Sequence, residues 1–277
     1  MRYLVAAALA IACDAFGQAA VTVTRQDKAQ VPLLVFSPKG ECRGTAIISH
    51  GAGGSERGYA YLATYLSNEG WLAIVPGHQE SGLKALREHA VASGPREGLG
   101  GLVAEPRAYA GRLMDIKAAR EWASTRCKST AAILLGHSMG AATTMIEAGA
   151  KNNLGVKGSD AFDAYVAMSP QGHGSIFPAD AWQGISKPVL TLTGTKDQEL
   201  HRQSWETRTE PFANMAPGCK WLGVVDGATH MHFAGHGAGS ANTEALTLKT
   251  VGEFLAVAGR GDCKAPQVAR GIELRVK

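Results

Sequence analysis

"LLGHSMGAATT", residues 134–144, is an apolar run that breaks into a serine bracketed by glycines and then resumes in a helix-like pattern. A turn needs only one glycine. Two of them, Gly136 and Gly140, each two positions from Ser138, describe a tight strand-to-helix turn in which flanking side chains would collide. Such a turn lifts Ser138 to the carboxyl end of a strand, where open parallel sheets bind ligands. It also sets the serine at a helix N-terminus, where free N–H groups and the helix dipole favour negative charge. The plainer reading of the same residues is a helix N-cap serine.

The surrounding chain supplies the sheet this turn requires. Strand-like runs occur at 20–25, 32–37, 45–51, 71–77, 131–137, 163–170, 188–194 and 221–227. From the third onward they are nearly continuous in apolar character, as expected of parallel strands covered on both faces. Helical patterns fill 56–69, 106–125, 139–151, 201–215 and 242–259. The alternation predicts an α/β fold: a mostly parallel eight-stranded sheet, helices on both faces, and an antiparallel hairpin at its start. Residues 79–105 are glycine-rich, with room for a short helix at 82–91, and residues 171–187 are short. Neither makes a large cap domain, so residues 20–277 are expected to form a single catalytic domain.

Composition narrows the class. The 277-residue chain is 45% hydrophobic and 19% charged with a net charge of +4, which excludes a disordered chain. Its basic residues are scattered, and none form the run expected of a nucleic-acid groove. "MRYLVAAALAIAC" has the Arg-then-apolar order of a secretory signal, so residues 1–19 are expected to be a leader with Gly17-Gln18-Ala19 at its cleavage site. Cys13 offers another outcome, since the residues before it resemble a lipobox and would make it a lipid anchor. Without Cys13 the cysteines form an even set, which supports export to the periplasm or beyond. Cys42 and Cys127 each precede a strand, Cys219 opens one, and Cys263 follows the helix returning from it. Bridges Cys42–Cys127 and Cys219–Cys263 are therefore expected; the alternative is four reduced core thiols.

A serine needs a base, and the base needs an acid to orient it. On this fold they follow in the order serine, acid, histidine. The downstream histidines are His173, His201, His230, His232 and His236. His230, in "VVDGATHMHF", leaves the eighth strand where a base would face Ser138, with His232 as the competitor. Asp197, in "LTLTGTKDQE", follows the seventh strand and is favoured as the acid over Asp226, which lies at a strand end. The tetrahedral oxyanion needs N–H donors. Met139 follows the nucleophile, and the glycines of "SHGAGGS" (49–55) let Ala52 supply a second. A phosphate cradle is the other use of such a loop, but no Lys-Ser/Thr follows it.

The segments "HGAGG", "GHSMG", "GTKD" and "GATH", in this order and spacing, resemble the α/β-hydrolases. Within them, "SHGAGGS" and "SPQG" are similar to the dienelactone-hydrolase-like and platelet-activating-factor-acetylhydrolase-like esterases. True dienelactone hydrolases carry a cysteine nucleophile, so Ser138 points toward ordinary esters. "GHSMG" also resembles the cutinase-like polyester hydrolases. The resemblance implies a serine esterase acting through an acyl-enzyme on a small-molecule ester, with no metal or cofactor, and the leader and cysteines make it an exported one. Lipase or polyester hydrolysis is the alternative, and a non-catalytic hydrolase-fold binding protein is the reading from another class. His50 is expected to support the glycine loop and His78 to line the substrate pocket.

Overall fold

The structure is a computed structural model that describes residues 17–198, 204–258, 263–264 and 270–277. Cys13 and His201 lie outside the described residues, as does nearly all of the expected leader. Among the described residues no helix is long and apolar enough to cross a membrane.

One sheet organises the chain. Its strands are β1 (Gln18–Thr24), β2 (Gln30–Phe36), β3 (Gly44–Ser49), β4 (Trp71–Pro76), β5 (Ala132–His137), β6 (Ala164–Met168), β7 (Val189–Lys196), β8 (Lys220–Thr229) and β9 (Ile272–Val276). They lie in the order β1-β2-β4-β3-β5-β6-β7-β8-β9. The six from β4 to β8 run parallel, while β1, β2 and β9 are antiparallel additions at the edges. Strand β1 already includes Gln18 and Ala19, paired with Phe36 and Val35. The ordered sheet thus begins inside the segment assigned to the leader.

The expected eight strands are present, and β9 makes a ninth. Its sequence "IELRV" alternates apolar and charged residues, and its exposure alternates with them, as in an edge strand with one wet face. The central strands behave differently: all residues of β3, β4 and β5 are buried. Successive side chains feed opposite faces, so Ile47 and Leu134 join one apolar cluster while Ile48 and Leu135 join the other.

The helices are α1 (Ala60–Asn68), α2 (Leu83–Ser93), α3 (Pro95–Val103), α4 (Pro106–Ser124), α5 (Met139–Glu147), α6 (Glu210–Asn214) and α7 (Ser240–Ala258). Helices α4 and α5 pack on the first cluster, and α1 and α7 on the second. The glycine-rich stretch 79–105, where one short helix was the expectation, holds two. Gly94 turns the chain between them at φ +88°, and a Cβ on Gly98 would lie 2.6 Å from the backbone of His89 and Ala90. These glycines allow α2 and α3 to approach closely, where a loop is the usual reading of such composition. The helix expected at 201–215 is broken: its described part is a 3₁₀ turn at Trp205–Thr209 followed by the short α6.

Both expected disulfides, Cys42–Cys127 and Cys219–Cys263, are formed. The first closes a sequence separation of 85 residues, worth about 4.5 kcal/mol in the chain-entropy picture.

The turn at Ser138 has the geometry that its two glycines imply. Ser138 sits at φ 56° and ψ −119° between β5 and α5. A Cβ on Gly136 would lie 2.1 Å from the Gly140 carbonyl oxygen, and one on Gly140 would lie 2.0 Å from that of Ser49. Both obstacles are backbone and cannot swing aside. Gly140→Ala is therefore expected to destabilise the fold by about 3 kcal/mol or more, read as a fall in the urea midpoint; a wild-type midpoint would refute this account of the turn.

Candidate active site

Ser138, His230 and the loop 51–59 line one cavity of about 680 Å³ at the carboxyl ends of the parallel strands. Helix α3 contributes Leu99 and Val103 to its wall. Ala52 lines it as well, and a Cβ placed on Gly51 would lie 3.4 Å from the Ser138 Cβ, so the glycine loop runs beside the serine. Met139, at the first position of α5, presents one of the helix N–H groups that have no acceptor within the helix.

Asp197 reaches the site through a defect in the sheet. The β7–β8 register shifts between Gly194 and Lys196, and the Asp197 N–H folds back to the Gly194 carbonyl at 3.0 Å. Lys196 is left exposed while Asp197 is completely buried. The Asp197 Oδ1 lies 2.9 Å from His230 Nδ1, and its Oδ2 accepts from the Thr193 hydroxyl at 3.0 Å. Burial pushes the Asp197 carboxyl up, but His230 and the Arg208 guanidinium outweigh it and hold the group below the usual carboxylate range. An ionised Asp197 keeps the proton of His230 on Nδ1 and leaves Nε2 with a lone pair.

The competing candidates have other partners. His232 caps the 3₁₀ turn that follows β8: its Nδ1 accepts from the Thr229 N–H at 3.4 Å and lies 3.3 Å from the Thr243 hydroxyl. Asp226 is exposed and accepts from the Thr195 hydroxyl at 3.2 Å.

His78 does not line the cavity, contrary to the sequence expectation. The end of β4 directs it inward, where it is 1% exposed. Its Nδ1 donates to Asp115 at 2.8 Å, and its Nε2 accepts from the Ser49 hydroxyl at 2.9 Å. His50 does brace the glycine loop, donating from Nδ1 to the Gly51 carbonyl at 2.7 Å and accepting the His78 N–H on Nε2 at 3.1 Å.

Four further residues shape the site, three of them without a motif to announce them. Arg208 donates to the carbonyls of Asp197, Ser169 and Pro170 and pairs with the Asp197 carboxylate at 2.8 Å. Arg112, fully buried on α4, reaches the carbonyls of the glycine loop. Tyr59 and His137 form a bridge across the cavity floor. The Gly51 N–H donates to the Tyr59 oxygen at 3.2 Å, Tyr59 donates to His137 Nδ1 at 2.7 Å, and His137 Nε2 donates to the His230 carbonyl at 3.0 Å. Tyr59 holds a left-handed backbone, φ 59°, to take part. Of the four, His137 alone carries a sequence signal, its place inside "GHSMG". Among the described residues no group of three or more His, Cys, Asp or Glu side chains is arranged to hold a metal ion.

No family model matches the chain, and no curated protein is similar to it. Solved structures do match. An esterase of Pyrococcus furiosus is 19% identical with a TM-score of 0.58, over 87% of this chain and 92% of its own. A Klebsiella pneumoniae protein provisionally described as a dienelactone hydrolase is 19% identical with a TM-score of 0.57, over 85% and 98%. An α/β serine hydrolase homologue from Coxiella burnetii is also 19% identical with a TM-score of 0.57, over 83% and 95%. The chain has the fold these proteins share, that of the α/β-hydrolases.

The site has a cost in acid. Burial pushes His50 down to about 3, with Arg112 adding to the effect, and pushes His78 and His137 well below their usual range. Folded, all three stay neutral, while the unfolded chain takes up protons near pH 6.5. The unfolded state then binds more protons, so stability falls as the pH drops below about 6.5, by about 1.4 kcal/mol per pH unit for each histidine. Asp115, which burial pushes up to about 7, opposes this by taking up a proton in the folded state over the same range. Stability to urea should therefore be lower at pH 5.5 than at pH 7.5, by less than the ~4 kcal/mol that three histidines alone would give; a protein more stable at pH 5.5 would show that these imidazoles are not held neutral.

Proposed function

We propose that the chain is an exported serine esterase that cleaves carboxylic esters through an acyl-enzyme on Ser138. The observation that carries this reading is the His230–Asp197 pair opening onto the same cavity as a serine held at φ 56°. His230 Nε2 takes the Ser138 proton as the hydroxyl oxygen attacks the ester carbonyl. The negative charge that develops on the carbonyl oxygen is met by the N–H groups of Ala52 and Met139. Collapse of the tetrahedral intermediate expels the alkoxide, which leaves with the proton from His230. Water, deprotonated by His230, then releases the acid and restores the serine. Asp197 holds the imidazole tautomer and stabilises the imidazolium.

A cavity of about 680 Å³ suits a small-molecule ester better than a polymer chain. The two disulfides support a protein that works in an oxidising compartment.

The test is labelling by a fluorophosphonate together with turnover of p-nitrophenyl esters of short to long acyl chains. Wild-type protein should carry the adduct on Ser138 and turn over short esters fastest. Faster release from long chains or insoluble films would favour a lipase or polyesterase, and no adduct on folded protein would favour a binding role. Ser138→Ala should lose turnover by about 10³-fold or more with the fold intact. Asp197→Asn, which removes the tautomer control, should lower kcat by about 10³- to 10⁴-fold; a fully active Asn variant would displace Asp197 from its role.

A further inference from the structure

We propose that Arg112 is the positioning residue of the oxyanion hole, turning the backbone of the glycine loop so that the Ala52 N–H faces the reacting carbonyl; this rests on the esterase reading above. The guanidinium is 0% exposed and lies beneath the loop. Its Nη1 donates to the His50 carbonyl at 2.6 Å and to the Ser49 hydroxyl at 3.1 Å, its Nη2 to the Gly51 carbonyl at 3.3 Å, and its Nε to the Ser81 hydroxyl at 2.8 Å. All four acceptors are neutral oxygens, and three belong to residues 49–51.

Peptide planarity converts those bonds into an orientation. In a trans peptide the C=O and N–H point in opposite directions. A His50 carbonyl held down on Arg112 sends the Gly51 N–H up, where it meets the Tyr59 hydroxyl at 3.2 Å on the cavity floor. A Gly51 carbonyl held down on Arg112 and on His50 Nδ1 sends the Ala52 N–H the same way, into the cavity that Ala52 lines. The rest of the loop is tied elsewhere, with the Gly53 N–H on the Ser81 carbonyl at 2.8 Å and the Gly54 N–H on the Gly51 carbonyl at 3.2 Å.

The charge adds to the alignment. Burial lowers the Arg112 guanidinium to about 10, which leaves it protonated at neutral pH. The 51–52 peptide then lies between a fixed cation and the developing oxyanion, its dipole aligned with both. A carbonyl polarised by a cation makes its own N–H a stronger donor. The benefit exists only while the substrate oxygen carries charge, so Arg112 should act on the transition state and leave ground-state binding alone.

The experiment compares wild type, Arg112→Met and Arg112→Lys in kcat and KM for a p-nitrophenyl ester and in affinity for an arylboronic acid, which forms a tetrahedral adduct on the serine. Circular dichroism checks folding. Arg112→Met should lower kcat about 10- to 100-fold with KM within about threefold of wild type, and boronate affinity should fall in step with kcat/KM. Arg112→Lys, which keeps the charge and loses the fork, should fall between the two. A folded Met variant with wild-type kcat and boronate affinity overturns the proposal, as does a loss confined to KM. If Arg112→Met does not fold, the Lys variant decides: wild-type kcat and boronate affinity overturn it, and a kcat and boronate loss at unchanged KM supports it. Wild-type protein that neither turns over the ester nor takes a fluorophosphonate on Ser138 refutes the esterase reading itself, separately from the role of Arg112.

Discussion

The backbone crossing at the end of β5 constrains everything around the cavity. Gly136, Gly140 and Ser49 approach so closely that no side chain fits between them. That contact bends the chain sharply enough to push Ser138 out of the sheet. It also clamps the first turn of α5 against the end of β3, which brings the glycine loop beside the serine. Ser138 and the Ala52 loop come from segments almost ninety positions apart, and the absence of two side chains makes them neighbours. The left-handed backbone of Ser138 is strain held in place by the buried strand and helix on either side.

Two buried arginines divide the electrostatic work of the site. Arg208 lies behind the acid, anchoring the Asp197 loop to the end of β6 and keeping the carboxylate ionised although it is shut off from water. Arg112 lies under the glycine loop and bonds to neutral oxygens. On the proposed esterase reading, one arginine faces the carboxylate that stays negative throughout, and the other the loop beside which negative charge would come and go. Between them, the Tyr59–His137 bridge joins the glycine loop to the backbone of His230, so displacement of either loop would be felt by the other.

Sequence reasoning reached the parts of this protein that local physics dictates. Continuous apolar runs pointed to buried parallel strands, and the paired glycines at 136 and 140 to a close crossing. Asp197 and His230 were accessible because each follows a strand at the end where ligands bind. The choice of His230 over His232 is explained by a capping bond that no spacing rule exposes. Where composition misled, packing was the cause. The glycines of 94–101 look like a loop, but Gly98 is the contact point of two helices. His78 ends a strand as a pocket residue would, yet its side chain turns toward α4, whose partner Asp115 lies 37 positions away. Arg112 and Arg208 sit within helical segments that read as ordinary, and only the fold shows what lies above them. Strand β9 is a plainer omission, since "IELRV" alternates as an edge strand should.

The bonds of His78 contain a second serine, histidine and aspartate in series. Ser49 hydroxyl, His78 imidazole and Asp115 carboxyl stand 2.9 and 2.8 Å apart. Not one of the three is more than 1% exposed. This series is walled in and ties the sheet to the helix. Hydrogen-bond spacing alone therefore does not mark a reactive serine. What Ser138 has and Ser49 lacks is a place on the cavity wall and a bend that lifts it there.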